Sequence, residues 1–257
     1  MINEIKVLID NEKCTGCGLC VADCQRRDLE IKNNKAVPLN KNCFFCGHCL
    51  AICPENAVRI EGLDDKILEL PGSRVFLDEK DLFRHLKFRR SIRKFKEARI
   101  EKEKLEKIIE AGRLTPTASN AQNVRYIVLQ NEIDEIEDTV LAQYKNPVGF
   151  TVPNTYNPDR IKRGFLFFNA PAIILVISPS EINACLAAMS MELMAEALGL
   201  GTVYVGLFTR PANVNKELRA SLGIAEAESI AACLALGYPT VTYQRSAPRK
   251  KANVTWR

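Results

Sequence analysis

Eight cysteines fall between positions 14 and 53, and their spacing constrains this chain more than any other feature. Cys14-x2-Cys17-x2-Cys20-x3-Cys24 recurs as Cys43-x2-Cys46-x2-Cys49-x3-Cys53, each position 29 residues after its counterpart. Only short apolar pieces frame the copies: Ile5, Val7 and Ile9 before the first, Leu29 and Ile31 after it, Ala57, Val58 and Ile60 after the second. Neither copy can bury a core of its own, so a shared inorganic core must replace the missing apolar one. An even cysteine count in a short secreted chain would read as disulfides. Here Met1-Ile2-Asn3-Glu4-Ile5-Lys6 has no basic-then-apolar signal pattern, and a much longer segment follows with only Cys185 and Cys233. Reduced, metal-bound thiolates are the expectation.

Zinc ribbons use two C-x2-C pairs separated by a longer spacer, whereas three cysteines at successive x2 intervals suit a [4Fe–4S] cluster. The run resembles that of bacterial-type two-cluster ferredoxins, where the fourth cysteine of each run ligates the other cluster. That resemblance implies a crossed assignment. Cys14, Cys17, Cys20 and Cys53 would hold one cluster, and Cys24, Cys43, Cys46 and Cys49 the second. Gly16, Gly18 and Gly47 would let the backbone turn close to the inorganic core. Pro54 after Cys53 fits the ferredoxin run, while Gln25 after Cys24 departs from it. His48, the lone histidine in the second loop, reads as a bystander. Two clusters so close in sequence carry electrons one at a time.

The remaining residues are ordinary for a globular protein: 257 in all, 47% hydrophobic and 26% charged. A net charge of +5 suits an anionic cofactor and is too small to argue for nucleic acid. No apolar run approaches the roughly 20 residues of a membrane span, so a cytoplasmic location is expected. Residues 1–62 read as the cluster module and 63–79 as a linker, with turns at Gly62, Asp64-Asp65 and Pro71-Gly72-Ser73. Residues 80–257 form a second domain. Asp78 is placed to cap a helix, Lys102 to Ala111 has helical spacing with Gly112 as a stop, and Glu132 to Tyr144 is a further helix. Strand patterns lie at Arg125 to Gln130, Ala172 to Ser178, Thr202 to Phe208 and Ile230 to Leu236. Asn183 to Leu198 is an apolar helix, expected to be buried, with Met189, Met191 and Met194 as core filler. Cys185 and Cys233 are expected to pack inside. Residues 145–160 read as a loop in which Tyr156 could cover a substrate, and Trp256 as an anchor docking the C-terminal tail, onto its own chain or the other subunit. The fold class is α+β.

Arg84 through Lys96 is strongly basic, which alone fits a solvated face, nucleic acid or a phosphate group equally well. Within it, Arg89-Arg90-Ser91-Ile92-Arg93-Lys94-Phe95 resembles the opening motif of FMN-dependent nitroreductases. Pro116-Thr117-Ala118-Ser119-Asn120-Ala121-Gln122 is similar to that family's Pro-Ser-x-x-Asn-x-Gln segment, with Thr117 in place of Ser. Asn123-Val124 stands where the family commonly has Pro-Trp. Leu198-Gly199-Leu200-Gly201-Thr202, Gly206 and Gly237-Tyr238-Pro239 complete the resemblance in the same order. Gly199-x-Gly201 is not a dinucleotide fingerprint, because its third glycine comes five residues later and a strand, not a helix, follows.

The resemblance implies a nitroreductase-like α+β domain with a central mixed sheet, one FMN, and an intertwined homodimer with flavins at its interface. Arg89, Arg90, Ser91 and Arg93 would bind the phosphate and ribityl chain. Asn120 and Gln122 would approach the polar edge of the flavin, backbone N–H groups at Val205 and Gly206 its N5 or O4, and Arg249 with Lys250 the phosphate. Thr117 and Ala118 would come from the partner subunit. No protein side chain is expected to be catalytic, since the cofactor carries the chemistry. Joined to the clusters, this implies an oxidoreductase fed by reduced ferredoxin or another low-potential donor, reducing a small acceptor of nitroaromatic, quinone or enone type. A non-catalytic electron relay, and ene-reduction or reductive dehalogenation on the same fold, are the competing expectations.

Overall fold

The computed structural model describes residues 5–63, 65–70, 72, 76–145, 147–152, 159 and 161–257. Tyr156, much of the 145–160 loop, and Asp64, Pro71 and Ser73 of the expected linker turns lie outside the described residues. The chain divides into two compact units: Met1–Val75 with Thr117–Ala121, and Phe76–Pro116 with Gln122–Arg257.

The first unit is two small antiparallel ladders and two single-turn helices. Strand β1 (Lys6–Ile9) pairs with β4 (Val58–Glu61), Val7 opposite Ile60. Strand β2 (Leu29–Lys32) pairs with β3 (Lys35–Pro38). Helices α1 (Leu19–Ala22) and α2 (His48–Ala51) each follow a left-handed glycine, Gly18 at φ 78 and Gly47 at φ 77, where a side chain would strain the turn. The apolar core is small, built on Val7, Ala36 and Ala57 together with Cys14 and Cys20.

The second unit wraps helices around one sheet of β5 (Arg125–Leu129), β6 (Ala172–Ser178), β7 (Gly201–Tyr204) and β8 (Ser229–Gly237), in the order β5-β6-β8-β7. Successive side chains of β6 point to opposite faces. Ile174 and Val176 meet α4 (Lys102–Arg113) and α6 (Glu181–Ala197) through Ile108, Ala188 and Met191. Ile173, Leu175 and Ile177 meet α5 (Ile133–Lys145), α7 (Gly206–Val214) and α8 (Lys216–Ser221) through Val140, Phe208 and Leu218. Helix α3 (Glu79–Phe88) starts as expected at Asp78, whose carboxylate accepts from Asp81 N at 2.9 Å. No helix among the described residues is long and apolar enough to cross a membrane.

Several expectations need correction. The described sheet is antiparallel in all three ladders, not mixed. Strands β6 and β7 do run parallel, but β8 lies between them, because the α6 crossover skips one position. Gly112 does not stop α4, which continues to Arg113. A Cβ there would lie 2.7 Å from Tyr126 Oη and 2.9 Å from Met191 Sδ, so the glycine serves close packing. Strand β7 ends at Tyr204, and Leu207 and Phe208 belong to α7. Cys185 is exposed, unlike Cys233. It shares an exposed side of α6 with Ile182, Leu186 and Met189, so that helix is only partly buried and only Met191 of its methionines is fully enclosed. Trp256 is 90% exposed in the single chain.

Candidate functional site

In the first unit the eight cysteine sulfurs line two cavities. Cys14, Cys17, Cys20 and Cys53 share one with Gly16, Gly18 and Ala57. Cys24, Cys43, Cys46 and Cys49 share the other with Asp28, Phe44 and Phe45. The repeat that spaces the sulfurs also spaces their partners. Asp28 N donates to Cys24 Sγ and, 29 residues on, Ala57 N donates to Cys53 Sγ, both at 3.3 Å. Arg27 and Asn56 preserve the turn that aims these donors, at φ 51 and 47. Ala36 N donates to Cys14 Sγ at 3.4 Å and Phe45 N to Cys43 Sγ at 3.3 Å. Backbone N–H groups aimed at ligand sulfurs are the second shell that iron–sulfur clusters use.

Among the described residues no three Cys, His, Asp or Glu side chains converge on a single-ion site. Each cavity is lined by four cysteines, three from one loop and one from the other, the set a cubane needs. Burial pushes the Cys49 thiol up to about 11, so loading iron must displace its proton. The residues fit the group.

The second unit holds a cleft of about 590 Å³, within the usual range for cofactor sites. Its walls include Arg93, Phe168, Tyr204, Gly206 and Arg210. The Arg89–Phe95 segment reaches it along the sheet edge: Ile92 N donates to Thr202 O at 2.9 Å, and Lys96 N to Tyr238 O at 2.8 Å. Two glycines make this approach possible. A Cβ on Gly201 would lie 2.3 Å from Ile92, and one on Gly237 2.9 Å from Phe95. Val205 N donates to Cys233 O at 2.8 Å, and Gly206, which lines the cleft, is the first residue of α7, where backbone N–H groups lack partners within the helix. Arg93 stacks over the Phe168 ring at 5.8 Å, and Phe168 itself is held at φ 57. Two guanidinium groups and a helix start suit a phosphate-bearing cofactor.

Residues 86–238 match the nitroreductase family, and residues 6–54 match the 4Fe-4S dicluster domain. The chain belongs to the nitroreductase family. A relative from Archaeoglobus fulgidus whose assigned name is NADH dehydrogenase/NAD(P)H nitroreductase is 30% identical over 161 residues, 59% of this chain and 81% of its own. Ferredoxin-2 of Desulfomicrobium norvegicum is 50% identical over 32 residues, 12% of this chain and 54% of its own. Among solved structures, the FMN-bound nitroreductase of Bacteroides fragilis superposes with a TM-score of 0.58 at 19% identity, covering 70% of this chain and all of its own. The FMN-bound nitroreductase of Desulfitobacterium hafniense gives 0.57 at 24%, with the same coverage. The chain is thus a nitroreductase-type oxidoreductase carrying a 4Fe–4S dicluster domain.

The motif residues of this nitroreductase do not all gather at the cleft. Arg93, Val205 and Gly206 line it. Arg89 is turned to α6, its Nη2 2.7 Å and Nε 2.9 Å from Glu192 Oε1. Arg90 and Ser91 are half-buried beside it. Thr117, Ala118 and Asn120 group with the first unit, while Gln122, at φ 46, belongs to the second. Arg249 and Lys250 are exposed in the tail. Asn123, at a departure from the family pattern, accepts from the buried Asn183 Nδ2 at 2.9 Å. Arg210, Glu192 and Phe168 were not singled out from sequence. Only Glu192 had a signal, as an acid inside an otherwise apolar helix.

Proposed function

We propose that electrons enter the ferredoxin module from a low-potential donor such as reduced ferredoxin, pass singly through two [4Fe–4S] clusters, and reach FMN for reduction of a small organic acceptor. The observation that carries this reading is the pair of four-sulfur cavities with backbone N–H donors, in a chain whose second unit has an arginine-walled cleft. Cys14, Cys17, Cys20 and Cys53 hold one cluster, and Cys24, Cys43, Cys46 and Cys49 the other. FMN supplies the exchange between one- and two-electron chemistry, and the protein supplies binding, orientation and electrostatics.

Arg93 and Arg210 bind the phosphate end with the Ser91 hydroxyl and, with Arg90, Arg249 and Lys250, set a positive field that favours the anionic reduced cofactor. Arg89 holds the segment in place, since its charge is shared with Glu192. Gly206 N donates to the ring edge, and Gln122 approaches its polar side. Thr117 and Ala118 serve the site from the partner subunit of a homodimer. The exposed apolar side of α6 (Ile182, Leu186, Met189) and the tail's Val254 and Trp256 support that dimer. Nitroaromatics, quinones and enones are the acceptor classes, because the flavin rather than a protein side chain carries the chemistry. The protein acts in the cytoplasm, and residues 1–62 and 80–257 are its working domains.

The test is one purified sample. About eight iron, eight sulfide and one FMN per chain are expected, with multiple turnover of at least one acceptor class under reduced ferredoxin. Zinc without sulfide would overturn the electron path, and no turnover with any acceptor would leave a relay. Cys53→Ser is expected to damage the cluster of Cys14, Cys17 and Cys20; loss of the other alone would refute the crossed ligation.

A further inference from the structure

The 29-residue repeat relates the two cysteine loops, and a glycine of the first is matched by a bulky residue in the second. Gly16, between Cys14 and Cys17, has φ 72, and a Cβ there would sit 2.1 Å from Asn34 O. Its counterpart between Cys43 and Cys46 is Phe45, held in the same left-handed region at φ 50. A bulky L-residue persists in that region only where its surroundings over-determine it. Here the surroundings include Asn120, 75 residues away in sequence and part of the same compact unit. Asn120 Nδ2 donates to Phe44 O at 3.0 Å and to Phe45 O at 3.1 Å. Ser119 and Asn120 are themselves left-handed, at φ 54 and 52, so both sides of the contact hold unfavourable backbone.

The Phe44–Phe45 peptide group is held by both edges. Its carbonyl accepts from Asn120, and its N–H donates to Cys43 Sγ at 3.3 Å. Hydrogen bonds in series polarise one another, so the first strengthens the second. A donor on a ligand sulfur favours the more negative, reduced cluster and raises its potential. Asp28, 4% exposed and lining the same cavity, acts in the opposite sense. Among the described residues the cavity of Cys14, Cys17, Cys20 and Cys53 shows no such pairing, and Cys14 Sγ accepts from Ala36 N instead. The family pattern assigns this asparagine to the flavin edge, but in this chain its amide is turned to the cysteine loop.

We propose that Asn120 is a positioning residue for the cluster of Cys24, Cys43, Cys46 and Cys49, locking the Phe44–Phe45 peptide onto Cys43 and so holding that cluster's reduction potential up. The inference rests on the two-cluster reading above. In the full-length protein, Asn120→Leu keeps the side-chain shape and removes the donor. Redox titration followed by electron paramagnetic resonance, with signals assigned through Cys17→Ser and Cys46→Ser, reads each cluster separately. The expected result is a roughly tenfold shift in reduction equilibrium at this cluster, about 59 mV for one electron, with the other unchanged. Asn120→Gln, which keeps the amide, should recover part of the shift. Should Asn120→Leu fail to load iron, Phe45→Gly in the same chain relieves the strained turn and restores loading while the shift persists. Wild-type potentials at both clusters in a loaded Asn120→Leu protein would overturn the inference. Absent iron and sulfide in the unaltered protein would overturn the underlying reading instead.

Discussion

Glu137 offers the sharpest test of how the cleft is built. Its carboxylate is 2% exposed on α5 and accepts three backbone hydrogen bonds: Gly164 N at 2.8 Å, Leu166 N at 2.7 Å and Phe167 N at 3.1 Å. Those donors belong to the turn that carries Phe165, Leu166 and Phe168 into the cleft wall. Glu137→Leu keeps the helix and the apolar volume but leaves three N–H groups without an acceptor, two of them on residues almost fully enclosed. Each buried unpaired donor costs about 1–3 kcal/mol. Water reaching Gly164 lowers its share, so the sum is about 3–5 kcal/mol. At roughly 2–4 °C per kcal/mol for a unit of this size, the melting temperature should fall by about 10 °C. Glu137→Gln keeps one oxygen for Leu166 and Phe167 but turns an N–H₂ toward Gly164 N, for a loss of about 1–2 kcal/mol. Urea titration followed by far-ultraviolet circular dichroism reads the second unit, which holds the long helices, while cluster absorbance reads the first. A Glu137→Leu midpoint within about 1 kcal/mol of wild type, or equal movement of both signals, would refute the reasoning.

Three further expectations follow from the same structure. Gly201→Ala would drive a methyl against Ile92 at 2.3 Å, so overpacking of about 1–3 kcal/mol and reduced FMN content are expected; unchanged melting temperature and full flavin would show that the segment yields freely. Arg210→Ala is expected to weaken FMN binding about ten- to hundredfold, from the loss of one charge-assisted bond of about 1.5–3 kcal/mol, and to flatten the salt dependence of binding; fluorescence titration with unaltered affinity would remove Arg210 from the site. The Arg125 guanidinium beside Glu228 holds its carboxyl down at about 2, against an ordinary 4.5. Because the folded value is depressed, the stabilisation is complete above about pH 4.5 and fades as pH falls toward about 2. The pair is partly open to solvent, so Arg125→Met should cost only about 1 kcal/mol at pH 7. Melting curves of the two proteins should converge near pH 2, and a constant gap down to that pH would contradict the assignment.

What could be read from sequence was what repeats or alternates. The cysteine spacing located the sulfur loops, and its 29-residue period extended to the Asp28 and Ala57 donors that the structure adds. Strand β6 was legible because seven consecutive apolar or small residues between turn signals leave little else to form. Gly112 was misread because a helix stop and a close helix contact call for the same residue, and only the position of Met191 separates them. Cys185 and the exposed side of α6 were misread because an apolar helix surface looks alike whether a core or another protein surface covers it. Arg210 carried no signal at all: it is one basic residue among many, and α7 alone brings it to the cleft. The pairing of Asn120 with Phe44 and Phe45 spans about 75 residues, beyond anything local spacing can express.

The basic run of residues 84–96 is best understood as charge divided by direction. His85 and Arg89 lie four apart, hence on one side of the turn that ends α3, and meet Glu196 and Glu192, which lie four apart on α6. Glu192 is 2% exposed, so an unpaired charge there would be costly and Arg89 has little freedom to leave. Burial pushes the Glu196 carboxyl up, against the opposing pull of His85 and Arg89. Four residues beyond Arg89 the backbone is extended along β7, held by the Ile92 bond to Thr202, and Arg93 lines the cleft with the Phe168 ring beneath it. A motif that reads as uniform positive charge thus has one arginine fastened into the protein and another left to meet an anion. The fastened one fixes where the free one stands.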